Sequence, residues 1–279
     1  MAGPNGDDVW AWGPAGAAVA YAYRYPGESE LFVFDPSDGA RQSLGRVDGQ
    51  IEALSWTPDG NRIALAADGA LYLVDLGSGE RSTIATYQGV AGEMFSTGWP
   101  NGIEWAPDGT KFVLVTTTDR GPTWTWPWRV QVLDAEGSQL FVLPVPGGGR
   151  FLGDPPQVGW SPDGTQLVYT TAIHYREKPL PGHGGQIWTV PSNGSNPTMI
   201  FDSGCCIWGS LRPTWSPDGS RLAYQVGWRR GTKWLVVDMG DIGEPHPIGE
   251  PHPIDELTFK SWGGGSFSSE GGWTPGHLG

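Results

Sequence analysis

The densest group of titratable side chains in the sequence is His174, Tyr175, Arg176 and Glu177, with His183 following closely. A histidine and a glutamate near one another can exchange a proton close to neutral pH, which is what general acid–base chemistry requires. The same residue types also make an ordinary solvated polar loop. Histidine is scarce, with five in the chain, and the others are His246, His252 and His277. His246 and His252 sit in tandem copies of Gly-Glu-Pro-His-Pro-Ile, 243–248 and 249–254. Flanking prolines favour an extended segment there, and the ligand number a metal needs is missing. No catalytic residue and no metal ligand is assigned, and no cofactor is expected.

A second group is aromatic and cationic. Trp124, Trp126 and Trp128 alternate at period two, so they can line one side of an extended hairpin. There they would form a stacking platform for a sugar ring or an aromatic or proline-containing peptide, or simply pack the hairpin. Trp99, Trp208 and Trp228 lie in comparable segments, as do Arg150, Arg212, Arg229 and Arg230. Trp and Arg are the residues favoured at binding hot spots.

Other chemistries lack their residues. The chain has no G-x-S-x-G nucleophile elbow; Gly263-Gly-Gly-Ser-Phe267 imitates it faintly, without a strand-to-helix turn to hold it. It has no P-loop or dinucleotide fingerprint. Asp35-Pro-Ser-Asp-Gly39 lacks the alternating ligands and closing Glu of a calcium loop. The two cysteines, Cys205 and Cys206, are adjacent and build no disulfide framework or zinc ribbon. They are either two thiols or one strained adjacent-residue disulfide.

The elements that would position these groups follow from composition and repeat. The chain has 279 residues and a formal net charge of −13, without a basic run, so nucleic acid and anionic membranes are poor partners. No apolar stretch reaches the 18 or so residues of a membrane span. Gly and Pro total a quarter of the chain, yet 38% hydrophobic residues and 16 Trp favour a packed core over disorder. Met1–Asp8 lacks a charged and apolar leader pattern, which predicts a cytosolic chain, or a periplasmic or extracellular one if the N-terminus is truncated.

The repeat is Trp-x-Pro-Asp-Gly, at Trp56–Gly60, Trp105–Gly109, Trp160–Gly164 and Trp215–Gly219, with a weaker copy at Trp12-Gly-Pro-Ala-Gly16. Successive tryptophans are 44, 49, 55 and 55 residues apart, a propeller-blade period. After each Gly comes a short apolar run, such as Ile63-Ala-Leu65, then a second, such as Leu71-Tyr-Leu-Val74, then an Asp/Gly turn and a weaker run. β-Branched and aromatic runs between turns read as strands, and no amphipathic helix interrupts them. Pro presets φ, Asp bonds its own backbone and Gly accepts a positive φ, so each motif turns the chain sharply. Four antiparallel strands per unit, five units in series, make an all-β propeller. The expected domains are a propeller over 1–261 and a Gly/Ser/Trp-rich tail, or the start of an incomplete sixth blade, over 262–279.

The motif and its flanking runs resemble the PD40, or WD40-like, repeat of TolB-type propellers, over about residues 8–260. The same repeat builds the propeller of prolyl oligopeptidase-like peptidases. Propellers resembling TolB usually have six blades, so the resemblance implies a truncated ring, a five-blade ring, or one completed by the tail. Some such propellers cleave pectin fragments at a His-rich metal centre, which the few histidines here fit poorly.

In a meander the Pro-Asp-Gly and Asp/Gly turns share one rim, and the second turn and the inter-blade connection share the other. The first rim is acidic through turn chemistry. The second holds the segments named above, and eight of 13 arginines: Arg24, Arg120, Arg129, Arg150, Arg176, Arg212, Arg229 and Arg230. The expected ligand-binding set is Trp99, Trp124, Trp126, Trp128, Arg150, His174, Tyr175, Arg176, Trp208, Arg212, Trp228, Arg229 and Arg230. The expected function is a non-catalytic binding or scaffold propeller for a protein, peptide or glycan. The alternatives are a hydrolase or lyase acting on oligosaccharides, and the gating propeller of a peptidase.

Overall fold

The computed structural model describes residues 9–87, 90–91, 102–117, 126–144, 150–151, 156–175, 182–203, 211–228, 231–240, 252–253, 266–267 and 273–274. Five antiparallel meanders follow one another along the chain. Blade one is β1 (Trp10–Trp12), β2 (Val19–Tyr25), β3 (Glu28–Phe34) and β4 (Arg41–Asp48). Blade two is β5 (Ile51–Trp56), β6 (Arg62–Ala67), β7 (Ala70–Asp75) and β8 (Arg81–Thr86). Blade three contains β9 (Val90–Ala91), β10 (Ile103–Trp105), β11 (Lys111–Thr117), β12 (Trp126–Asp134), β13 (Gln139–Val142) and β14 (Arg150–Phe151). Blade four is β15 (Val158–Trp160), β16 (Gln166–Tyr175), β17 (Gly182–Pro191) and β18 (Thr198–Asp202). Blade five is β19 (Thr214–Trp215), β20 (Arg221–Trp228), β21 (Gly231–Asp238) and β22 (His252–Pro253). A separate pair, β23 (Ser266–Phe267) and β24 (Trp273–Thr274), lies in the tail.

The motif explains how the blades join. Each strand has two faces, and in every blade from the second onward the Trp-bearing face packs on the blade before. Trp56, Ile63, Leu65 and Val74 meet Ala20, Ala22 and Leu31 of blade one. Trp105, Phe112 and Leu114 meet Ala53, Ala64 and Ala66. Trp160, Leu167 and Tyr169 meet Val113, Val115 and Val130. Leu222, Tyr224 and Val237, with the half-buried Trp215 beside them, meet Val168 and Ile187. The receiving faces are largely alanine in blades one and two and β-branched in blades three and four, and the bulkier motif faces pack closely onto them.

Two further contacts recur at the same joints. The indole nitrogen of Trp56 donates to the Ala11 carbonyl, that of Trp160 to Glu104, and that of Trp215 to Gly159, each at 3.1 Å. The acceptor in each case is the residue before the preceding motif's tryptophan. Trp105 departs from this: its indole nitrogen is buried with no hydrogen-bond partner, and its ring leans on Phe112 at 4.8 Å. The motif glycines are also contacts. A Cβ added to Gly60, Gly109, Gly164 or Gly219 would lie 3.7, 3.7, 3.5 or 3.6 Å from Pro14, Pro58, Pro107 or Pro162 of the blade before. Those are ordinary contact distances; it is the φ near +70° (71, 69, 70 and 72°) at all four that favours glycine there.

Candidate functional site

One rim is closed by its own hydrogen bonds. The motif glycine N–H donates back across the turn, as in Gly164 to Ser161 at 2.8 Å and Gly219 to Ser216 at 2.9 Å. The hydroxyl after the tryptophan donates to the motif carboxylate: Thr57 to Asp59 at 2.5 Å, Ser161 to Asp163 at 2.6 Å and Ser216 to Asp218 at 2.5 Å. The same oxygens accept from Arg62, Gln166 and Arg221 N–H groups. Blade three has Ala106 in this position, and Asp108 is held by Thr110 alone. These donors stabilise the charged carboxylates. The Ser216 hydroxyl and the Ser220 N–H push Asp218 down to about 2, and the Ser161 hydroxyl lowers Asp163 in the same way. The aspartates of this rim are turn residues, as the sequence indicates.

The opposite rim is uneven. Over blades one and two it is sealed by tight turns. The β2–β3 ladder runs to Tyr25 opposite Glu28, so Tyr23-Arg-Tyr25 is strand rather than the loop the sequence suggests. The Pro26-Gly27 turn suffices to reverse the chain. Arg24 Nη2 donates to the Ile51 carbonyl at 2.8 Å, and Gln50 Nε2 to Tyr25 at 2.8 Å. The Tyr87 hydroxyl donates to Glu52 at 2.7 Å; burial and that carboxylate push its ionisation far up.

Over blades three and four the rim is built up. β9 pairs with the end of β11, Thr116 opposite Ala91, and β14 pairs with the start of β12, Trp126 opposite Phe151 and Pro127 opposite Arg150. Both added strands come from inter-blade connections. In blade four the central hairpin runs on past β15, which ends its pairing at Tyr169. Six more pairs extend it to Tyr175 opposite Gly182, with His174 directly opposite His183. β14 also runs close to β16. The backbone positions of Trp126, Arg150, His174 and Tyr175 therefore gather at one end of two neighbouring blades.

A buried polar network braces that extended hairpin, and the sequence reading missed it. Gln186, 7% exposed, accepts from Thr171 Oγ1 at 3.3 Å and from Trp188 Nε1 at 3.1 Å. Its Nε2 donates to Asp202 Oδ2 at 2.8 Å. Ser203 Oγ accepts from the Gly185 N–H at 2.8 Å. The available signal was a glutamine two residues before Trp188, on the same face of an otherwise apolar strand.

The other expected binding residues divide. Trp128 is 4% exposed and packs with Val130, Val132 and Tyr169, so it is a core residue. Trp126 and Trp128 both belong to β12. Arg129, also placed in a loop by the sequence, lies in β12 and donates to Gln139 at 2.8 Å. Trp228 ends β20, opposite Gly231, and Arg212 is half-buried just before β19. Trp99, Trp124, Arg176, Trp208, Arg229 and Arg230 lie outside the described residues, as do Glu177, Cys205 and Cys206. Among the described residues no group of three or more His, Cys, Asp or Glu could hold a metal ion. No helix there is long and apolar enough to cross a membrane.

One carboxyl stands apart. Glu104, on the inner strand β10, has no hydrogen-bond partner for its side chain among the described residues, and burial pushes it up to about 7. The positions equivalent to it are Ala11, Ser55, Gly159 and Thr214, all small and uncharged.

The family model for the dipeptidyl peptidase IV N-terminal region matches residues 14–125. No curated protein matches the chain. Among solved structures, TolB from Acinetobacter baumannii superposes with a TM-score of 0.53 at 20% identity, over 93% of this chain and 57% of that one. Oligogalacturonate lyase from Vibrio parahaemolyticus does so with a TM-score of 0.59 at 16% identity, over 88% of this chain and 63% of that one. Hydrazine synthase from Kuenenia stuttgartiensis gives 0.54 at 17% identity, over 84% and 65%. The chain spans about three fifths of the length of these structures. At such identities the likeness is one of fold.

Proposed function

We propose that this chain, a TolB-like β-propeller by fold, is a non-catalytic binding module that takes a protein, peptide or glycan on the rim of blades three and four. The observation that carries this reading is the asymmetry between the rims. One is closed by uniform aspartate turns. The other is raised at two adjacent blades by β9, β14 and the extended β16–β17 hairpin, whose backbone gathers Trp126, Arg150, His174 and Tyr175. Strand-mounted positions hold a recognition surface more rigidly than free loops do. Residue types of this kind, aromatic and cationic, suit recognition of a sugar ring or an aromatic peptide in an otherwise acidic molecule. The test is a peptide and glycan array probed with the full chain, followed by mass analysis of each bound ligand. Retention with unchanged ligand mass supports binding without turnover; a cleaved ligand contradicts it.

A second reading has one observation in its favour, the cross-strand pairing of His174 with His183. Histidine is the residue type that exchanges protons near neutral pH and most often binds metals, and the backbone register sets two of them opposite each other. A solved neighbour is an oligogalacturonate lyase in complex with manganese. On this reading the chain is an oligosaccharide lyase or hydrolase. Elemental analysis of the purified chain, and turnover of uronate oligomers abolished by His174→Ala, would establish it.

A further inference from the structure

We propose that Asn193 is a modification site: the Gly194 backbone nitrogen attacks its side-chain amide and converts it to an acid, and the isomerised product loosens the joint between blades three and four. In the first four blades the turn between the third and fourth strands closes in one way. Gly39, Gly79, Gly137 and Gly194 have positive φ values of 75, 72, 88 and 80°. Their N–H groups donate back to the carbonyls of Asp35, Asp75, Asp134 and Pro191. The residue before the glycine is Asp38, Ser78, Glu136 or Asn193, so this turn does not demand asparagine. In blade four alone of these a side-chain amide precedes the glycine, which has no side chain to shield its nitrogen.

The Asn193 side chain is held in a form that favours attack. It is exposed, and its Oδ1 accepts from the Ser195 N–H at 3.0 Å and from the Ser195 hydroxyl at 2.7 Å. A backbone N–H only donates, so the oxygen faces Ser195 and Nδ2 remains as the leaving group. Two donors on Oδ1 draw electrons from Cγ and stabilise the negative charge that grows on that oxygen during attack. The Gly194 N–H must first leave the Pro191 carbonyl, 2.8 Å away, so local opening of the turn gates the reaction. The nitrogen gives its proton to solvent and bonds to Cγ. The Cγ–Nδ2 bond then breaks, and ammonia departs with a proton from water. The cyclic imide takes up one water. Opening at Cγ gives aspartate, and opening at the backbone carbonyl carbon gives isoaspartate, whose main chain is one atom longer. Aspartate restores the pairing seen at Asp38-Gly39 and is tolerated. Isoaspartate is not, because Gly194 is tightly seated: a Cβ there would lie 2.8 Å from the ring of Phe141, which packs on the core between blades three and four. An extra backbone atom moves Gly194 against that ring.

Ageing of the full chain at mildly alkaline pH tests this, read by peptide mass mapping and by labelling with an isoaspartate-specific methyltransferase. The peptide spanning Asn193 should gain the mass difference between an amide and an acid and should accept methyl groups. Ser195→Ala removes one donor to Oδ1 and should slow the conversion roughly three- to tenfold, the worth of one hydrogen bond. Ser195→Thr keeps the hydroxyl and should restore the rate. The melting temperature of the wild type should fall on ageing, and that of Asn193→Gln, whose longer side chain closes the ring poorly, should not. Fresh Asn193→Asp should melt like unaged wild type. An unmodified peptide at 193, after the urea-unfolded chain has converted, overturns the site. Unchanged or faster conversion in Ser195→Ala overturns the activation by Ser195, and a converted chain with unaltered melting overturns the effect on the joint.

Discussion

The indole nitrogen of Trp215 donates to the carbonyl oxygen of Gly159 at 3.1 Å, across 56 residues of sequence. The bond ties blade five to the innermost strand of blade four, and Trp56 and Trp160 make it at two other joints. A single residue type thus serves the core and the inter-blade register together. Its exception, Trp105, makes the contribution measurable.

Trp160→Phe and Trp215→Phe should each lower stability by about 1–3 kcal/mol, because each leaves a backbone carbonyl without its donor and shrinks a packed ring. Trp105→Phe removes a buried indole N–H that has no partner. Its cost should be smaller, since the unsatisfied donor disappears with the ring. Urea unfolding of the three variants measures the difference; equal costs would show that the hydrogen bond contributes nothing.

The turns predict a second contrast. Ser161→Ala deletes a hydroxyl that donates to Asp163 and accepts from the Gln166 N–H. A loss of about 1 kcal/mol is expected. Ala106→Ser adds the same hydroxyl to the blade that lacks it, beside Asp108. A gain of about 0.5–1 kcal/mol follows if the buried site admits one oxygen. Thermal melts of both variants decide this, and destabilisation by Ala106→Ser would mean the joint is too tight.

Glu104 sets the pH dependence at the neutral end. Its folded pKa, about 7, lies above the unfolded value of 4.5. Below pH 4.5 the carboxyl is protonated in both states and costs nothing. Between 4.5 and 7 the unfolded state ionises first, so stability falls as pH rises, by roughly 2–3 kcal/mol in all. Glu104→Gln should flatten this slope, so that the variant gains on the wild type at pH 8 more than at pH 4. Parallel melting curves for the two proteins across that range would contradict the assignment.

Acid acts through the other rim. Asp218, Asp163 and Asp59 have folded pKa values below the unfolded one. Their contribution is complete above about pH 4 and is lost as pH falls through the depressed values. Asp218→Asn should therefore shrink the stability difference between pH 5 and pH 2.5, read by urea titration at each pH. An unchanged difference would remove Asp218 from the acid response.

Much of this was legible from five motif copies. Trp56, Trp105, Trp160 and Trp215 announce blades because a turn needs Pro, Asp and Gly in fixed order, and Trp marks the strand before it. Tight turns were harder to see. Tyr23 to Tyr25 read as a loop since polar and aromatic residues interrupt the apolar run, yet backbone pairing continues through them. β9 and β14 are two residues each, too short for any periodicity. Trp128 shows why a platform cannot be read from spacing alone. Its alternation with Trp126 is real, but whether a strand face meets solvent or the next blade depends on the joint, which sequence does not display.

The binding rim is the central claim, and array binding by rim variants of the full chain tests it most directly. Trp126→Ala, Arg150→Ala and His174→Ala combined should abolish retention of the array ligands while leaving the melting temperature nearly unchanged. Asp59→Asn with Asp163→Asn, on the opposite rim, should leave retention intact. Retention that survives the first set, or that is lost with the second in a folded protein, would contradict the account.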